Sequence, residues 1–179
     1  IPTPATIGAA PAAAQSMLQA VKQQLGMAPN LFRLVANNPA TRLHSQLDPA
    51  GASRRHKVKD REIIRINPDD AARRGIKTDD IVRVFNARGA CLAAAVLDPG
   101  VMRNVAVMAT GAWFDPAEQQ GLERHGNPNV LTLDVGTSRL TQGPSALSAL
   151  VEIERWDAVL PQVRAFAPPS IIHAAPDAA

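Results

Sequence analysis

The chain has 179 residues, 46% of them hydrophobic and 20% charged, enough to bury one proper core and too apolar for a disordered segment. Its net charge is only +3, and two tryptophans with no tyrosine leave few stacking platforms, which argues against a general single-strand nucleic-acid binder. A single cysteine, Cys91, excludes an internal disulfide, a CxxC redox pair and a cysteine-based zinc site.

Residues 1–10 are rich in Pro, Ala and Thr and are expected to be loose. From Pro11 to Leu25 the apolar Met17, Leu18, Val21 and Leu25 recur at helical spacing, with Gly26 as a stop. Pro29 opens a second expected helix carrying Leu31, Phe32, Leu34 and Val35, closed by Asn37, Asn38 and Pro39. The first forty residues thus predict a helical hairpin.

Beyond Thr41 the texture changes. The "REIIRI" run at 61–66 alternates as a strand does, and Asn67, Pro68, Asp69 and Asp70 predict a capped short helix ending at Gly75. Two strands around a turn at Asn86 to Gly89 follow, and Cys91 reads as a small buried apolar residue. Further strands are expected at Val101 to Ala109, Val130 to Leu133 and Leu147 to Ile153. Asp115-Pro116 reads as a helix start, and Trp113 as core packing in preference to a cover for a ligand. Short, numerous strands point to a barrel or a sandwich. The longest apolar runs fall short of a membrane span, so a soluble protein is expected, placed in the cytoplasm with a periplasmic location left open.

Two stretches carry polar chemistry. Arg54, Arg55, His56, Lys57, Lys59 and Arg61 form a basic run, either a solvated face or a patch attracting phosphates. "HGNPN" at 125–129 is either a plain turn or a set of amide and imidazole groups suited to a flat heterocycle with amide-like edges.

The ordered set "PATRLHSQLD" at 39–48, "EIIRINPDDAARRGI" at 62–76, "DIVRVFNARGACLAAAVL" at 80–97, "ATGAWFDP" at 109–116 and "HGNPNVLTLDVGTSRLTQGPSALSALVEIERW" at 125–156 resembles a known family. It is similar to the C-terminal molybdopterin-dinucleotide-binding domain of the dimethyl sulfoxide reductase family, in its biotin sulfoxide and trimethylamine N-oxide reductase branch. The resemblance implies a mainly β fold with short helices, a double-psi β-barrel of the aspartate-decarboxylase-like kind over residues 41–167, with a disordered tail at 168–179.

The implied cofactor is bis(molybdopterin guanine dinucleotide), whose molybdenum is held through the cofactor and not by this chain. The implied contacts are Arg42, His44, Ser45, Gln46, His125, Gly126, Asn127, Asn129, Gln142 and Gly143, with no catalytic residue and no metal ligand. The partners implied are the remaining domains of a molybdoenzyme that reduces S-oxides or N-oxides, and this chain alone is expected to be inactive. No membrane or nucleic-acid partner is implied. A stand-alone barrel that binds protein or nucleic acid through the 54–61 run is the alternative.

Asp60 and Asp79 stand where the family often has glycine, so a positive φ there would weaken the turns. Residues 9–40 resemble instead the start of carboxymuconolactone decarboxylase and alkylhydroperoxidase-like proteins, without the paired cysteines that peroxidase chemistry needs. A chain joined from two sources near Asn38 to Thr41 is expected.

Overall fold

The computed structural model describes residues 31–117, 121–133, 136, 138–140 and 148–168. The first expected helix and the tail lie outside these residues. Among the described residues seven strands form one sheet: β1 (Phe32–Asn37), β2 (Ile63–Ile66), β3 (Ile81–Asn86), β4 (Gly89–Leu97), β5 (Val105–Ala109), β6 (Leu122–Glu123) and β7 (Ser148–Arg155). Their order is β2-β5-β1-β7-β3-β4-β6, and a parallel β2–β4 pairing closes six of them into a barrel. This is the double-psi β-barrel that the sequence implies. Closure removes the open sheet edges that would otherwise invite aggregation.

β4 shows why one stretch of sequence is apolar without alternation. Its free edge is shared, with β6 on Ala90 and Cys91 and β2 on Ala94 to Leu97, while β3 lines the other edge. Cys91, Ala93 and Ala95 face the interior beside Phe32, Leu34, Ile64, Val82 and Met108. Ala90, Leu92 and Ala94 lie in a second cluster with Ile81, Phe85 and Leu122, covered by Trp156 and Leu160. A strand buried on both faces cannot carry polar alternation. Cys91 is the small buried residue expected, and burial pushes its thiol well above the usual range.

Two short helices bracket β2. The first, α1 (Gly51–Arg54), lies in the β1–β2 connection. The second, α2 (Pro68–Ala72), forms as its sequence predicts, with the Asn67 side chain accepting from the Asp69 N–H at 2.9 Å and Pro68 at the start. Asn67 Nδ2 also donates to the Val101 carbonyl at 2.8 Å, and Asp70 accepts from the Asn104 N–H at 2.6 Å, so the helix clamps the turn into β5. That turn, with Asn104 at φ 58°, delays β5 to Val105, four residues later than expected.

Three expectations fail, each for a physical reason. The helix expected from Pro29 is the strand β1 over Phe32–Asn37, parallel to β5 and antiparallel to β7. Six residues with Phe32 and Leu34 inward satisfy a two-residue period, and pairing on both edges completes the barrel. The β sheet therefore begins before Pro39, inside the segment read as being of different origin. The strand expected from Val130 is a 3-10 helix, Pro128–Leu131, because Asn127 caps it by accepting the Asn129 N–H and Pro128 fixes its first turn. No helix starts at Asp115: Pro116 bridges Glu123, and the Ala117 N–H donates to the Leu122 carbonyl at 2.8 Å.

Both doubtful aspartates adopt the left-handed conformation, Asp60 at φ 62° and Asp79 at φ 67°. The Asp79 N–H donates to the Ala95 carbonyl at 2.8 Å, a bond that glycine would keep. Asp79→Gly should therefore stabilise the chain by about 0.5–1 kcal/mol in urea denaturation, the relieved strain exceeding the added unfolded-state entropy.

Candidate cofactor site

Three segments meet at one end of the barrel: residues 42–48 after β1, 110–115 after β5, and 123–129 after β6. A buried ion cluster fastens the first of them. The Arg42 guanidinium donates to Glu62 Oε2 at 2.7 Å, Ser53 Oγ at 3.0 Å, and the carbonyls of His44 and Thr110, each at 2.9 Å. Lys57 Nζ lies 2.9 Å from Asp48 Oδ1 and 3.0 Å from Glu62 Oε2, with its side chain 1% exposed. Asp48 also accepts from Ser53 at 3.0 Å and from the Trp113 N–H at 2.9 Å. Two cations and two carboxylates cancel within a site shut off from water, where each ion needs its partners to offset desolvation.

Burial drives the Asp48 carboxyl up, but the Trp113 N–H, Lys57 and Arg42 together outweigh it and hold the group below its ordinary value. Its contribution to stability is thus present above the unfolded value and is lost as the pH falls through the lower folded one.

Backbone geometry locks the segments further. Gly111 sits at φ 86°, and a Cβ there would lie 2.1 Å from the His44 carbonyl carbon and oxygen. His44 at φ 45° and Leu47 at φ 63° are themselves left-handed, so the 42–48 loop is held in a conformation that its side chains disfavour. Trp113 Nε1 donates to the Ser45 carbonyl at 2.9 Å. The indole is 41% exposed and packs edge-on to Phe166 at 5.8 Å, so the expectation of core packing is corrected: Trp113 braces a loop at the surface.

The "HGNPN" residues divide by what their polar groups already do. His125 is fully buried, and its Nδ1 lies 2.8 Å from the Trp113 carbonyl. A carbonyl only accepts, so Nδ1 carries the proton. Burial and the nearby Lys57 push the imidazole pKa down against the Trp113 carbonyl, Asp48 and Glu62, a shift towards the neutral ring. With the proton on Nδ1, the neutral ring's Nε2 is an acceptor, buried without a partner among the described residues. Asn127 Nδ2 donates to the Ala112 carbonyl at 2.9 Å and its Oδ1 caps Asn129.

Gly126, at φ 99°, makes its close approach to the protein itself: an added Cβ would meet Glu62 Cβ at 2.7 Å. Its glycine answers to packing against Glu62, which sequence reasoning read as room for a ligand. His44, Ser45, Gln46 and Asn129 are exposed, whereas Arg42 is buried. Gln142 and Gly143 lie outside the described residues.

Sequence reasoning missed Asp48, Ser53, Lys57, Glu62 and Glu123. Lys57 was hidden in the basic run, which the structure splits: Arg54, Arg55, His56 and Lys59 are exposed, while Lys57 and Arg61 turn inward. Arg61 donates to the carbonyls of Lys59, at 2.8 Å, and Pro161. The run is not one continuous basic face.

Residues 32–150 match the family model of the molydopterin dinucleotide binding domain. The chain belongs to this family. Among relatives of the molydopterin dinucleotide binding domain family, biotin sulfoxide reductase of Cereibacter sphaeroides is 52% identical over 123 residues, covering 69% of this chain and 16% of that protein. Trimethylamine-N-oxide reductase 1 of Escherichia coli K12 is 48% identical over 136 residues, 74% of this chain and 16% of that protein. The chain thus spans about a sixth of the length of these relatives. The fold is also that of part of acetylene hydratase from Pelobacter acetylenicus, with a TM-score of 0.56 at 14% identity, covering 78% of this chain and 23% of that one. The cofactor of this family is a molybdopterin dinucleotide.

Two outcomes test the site's construction. Gly111→Ala should cost about 3 kcal/mol or more by chemical denaturation, since peptide backbone has no room to yield. Asp48→Asn should cost about 3–5 kcal/mol at pH 7 by leaving buried cations unpaired. That penalty should shrink as the pH falls from the ordinary carboxyl value of 3.8 through the lower folded one, where the folded wild type loses the same charge.

Proposed function

We propose that this end of the barrel holds one dinucleotide of a bis(molybdopterin guanine dinucleotide) centre. The observation that carries the reading is a set of exposed polar side chains on two loops, His44, Ser45 and Gln46 on the one and Asn129 on the other, with buried ions fastening the first. Gln46 and Asn129 each offer a donor and an acceptor, the pairing that pterin and guanine edges require. The Nε2 of His125 is buried without a partner among the described residues, which suits a ligand N–H and supports the fit.

Arg42 belongs to the frame in this reading. Its guanidinium bonds Glu62, Ser53 and two carbonyls, so its role is to fix the loop that carries Gln46 and not to grip phosphate. His125, Gly126 and Asn127 shape the second loop in the same manner, with His125 also offering its acceptor. Gln142 and Gly143 remain contacts by resemblance. When bound, the cofactor supplies oxygen-atom transfer at its metal; the residues here bind and orient it.

The names of the relatives support an S-oxide or N-oxide reductase as the whole enzyme, with this chain the dinucleotide-binding part and inactive alone. Exposed Leu43, Leu47, Trp113 and Phe114 around the two loops are the apolar rim expected where further domains close over the cofactor. The inward turn of Lys57 and Arg61 weighs against a basic docking platform.

The chain should be purified from a cofactor-producing host, denatured and oxidised, then assayed for pterin fluorescence and released GMP. About one GMP per chain supports the reading, and none from a folded sample overturns unaided binding. The pair Gln46→Ala and Asn129→Ala should lower GMP content by roughly tenfold or more while changing stability by less than about 0.5 kcal/mol, as exposed positions do.

A further inference from the structure

Glu123 ends β6, and its side chain is almost wholly buried, the residue being 1% exposed. Among the described residues its four hydrogen-bond donors are all main-chain N–H groups. Oε1 accepts from Asp115 at 3.1 Å and His125 at 3.0 Å. Oε2 accepts from Gly126 at 2.7 Å and Asn127 at 2.8 Å. Three successive N–H groups converging on one point form the kind of concavity that elsewhere in proteins captures phosphate or another free anion. Here the chain fills it with its own side chain. Burial raises the Glu123 carboxyl above its ordinary value, and the N–H groups of Asn127, His125, Gly126 and Asp115 oppose that shift. Because both oxygens accept N–H bonds, the geometry calls for a carboxylate.

Two consequences follow for the site. The N–H groups of residues 125–127 are not available to a pyrophosphate, so the loop meets its ligand through side chains. The carboxylate also ties Asp115 to the same point, joining the segment after β5 to the segment after β6. On that fixed backbone His125 directs Nδ1 to the Trp113 carbonyl, and Asn127 spans from the Ala112 carbonyl to the Asn129 N–H. The direction of the His125 acceptor and the place of Asn129 are therefore both set from one buried charge.

We propose that Glu123 is the positioning residue of the dinucleotide site, an internal anion around which the His125–Asn129 loop is wound. The proposal rests on the cofactor reading above. Glutamine keeps the shape of the side chain but turns one oxygen into an NH2 group, which faces two N–H donors and bonds neither. Aspartate keeps the charge at a shorter reach.

The test compares wild type, Glu123→Gln and Glu123→Asp by amide hydrogen exchange, by the ring 15N signals of His125, and by GMP content after isolation from a cofactor-producing host. In Glu123→Gln, protection at residues 115 and 125–127 should fall roughly tenfold or more, the scale of a lost hydrogen bond to a charged group, while β3 and β4 keep theirs. The His125 signals should move from a single Nδ1–H form towards a mixture of tautomers, and GMP content should fall roughly tenfold with the loss of those charged bonds. Glu123→Asp should recover part of each change.

Unchanged exchange and ring signals in Glu123→Gln overturn the proposal, as does a loss spread evenly over β3 and β4, or identical behaviour of the two variants. Should Glu123→Gln not fold, Glu123→Asp is judged against wild type, and unchanged protection at 125–127 overturns it. A wild-type chain that folds but carries no GMP defeats the cofactor reading, while exchange and ring signals still decide whether Glu123 sets the loop.

Discussion

The cluster of Arg42, Asp48, Lys57 and Glu62 is the constraint on which the rest of the site depends. These residues come from the loop after β1, the turn after α1 and the residue just before β2, so their charges tie three successive parts of the chain to one barrel end. The cluster is electrically neutral and fully partnered, which makes it tolerable in the interior without making it a large source of stability. Its value lies in specificity. A hydrophobic replacement could fill the same volume, but it would not dictate where the His44 and Thr110 carbonyls must sit.

Around that cluster the polar residues separate into those that face inward and those that face out. Arg42 divides its hydrogen bonds between two main-chain carbonyls and the side chains of Glu62 and Ser53, while Asn127 and Glu123 direct theirs to main-chain groups. His44, Ser45, Gln46 and Asn129 stand outside them. Amide and imidazole chemistry alone does not tell the two groups apart, since a cap and a ligand contact draw on the same donors and acceptors.

The fold was legible in the sequence where its cause is local. The Asn67-capped helix, the β3–β4 hairpin and β7 follow from caps, turn residues and periodicity within one window. β1 was not, because Phe32, Leu34 and Val35 fit either period and what decides is closure against β5 and β7, far along the chain. At Val130 β-propensity pointed one way while the Asn127 cap and Pro128 held the other. Motif order singled out the loops of the candidate site, but not the ions beneath them. A lysine in a basic run gives no sign that it meets carboxylates on both sides of it in sequence.

Gly111 carries one more consequence. It brings the peptide after β5 directly against the peptide between His44 and Ser45, backbone on backbone. The gap between the two loops is therefore measured by main chain alone, and no side chain serves as the ruler. Exchanging His44 or Ser45 for another residue alters the surface that a ligand meets without altering the spacing on which that surface is mounted. Surface and scaffold are in this way separable: the 42–48 loop can present other side chains while the main chain keeps its distance from the segment after β5.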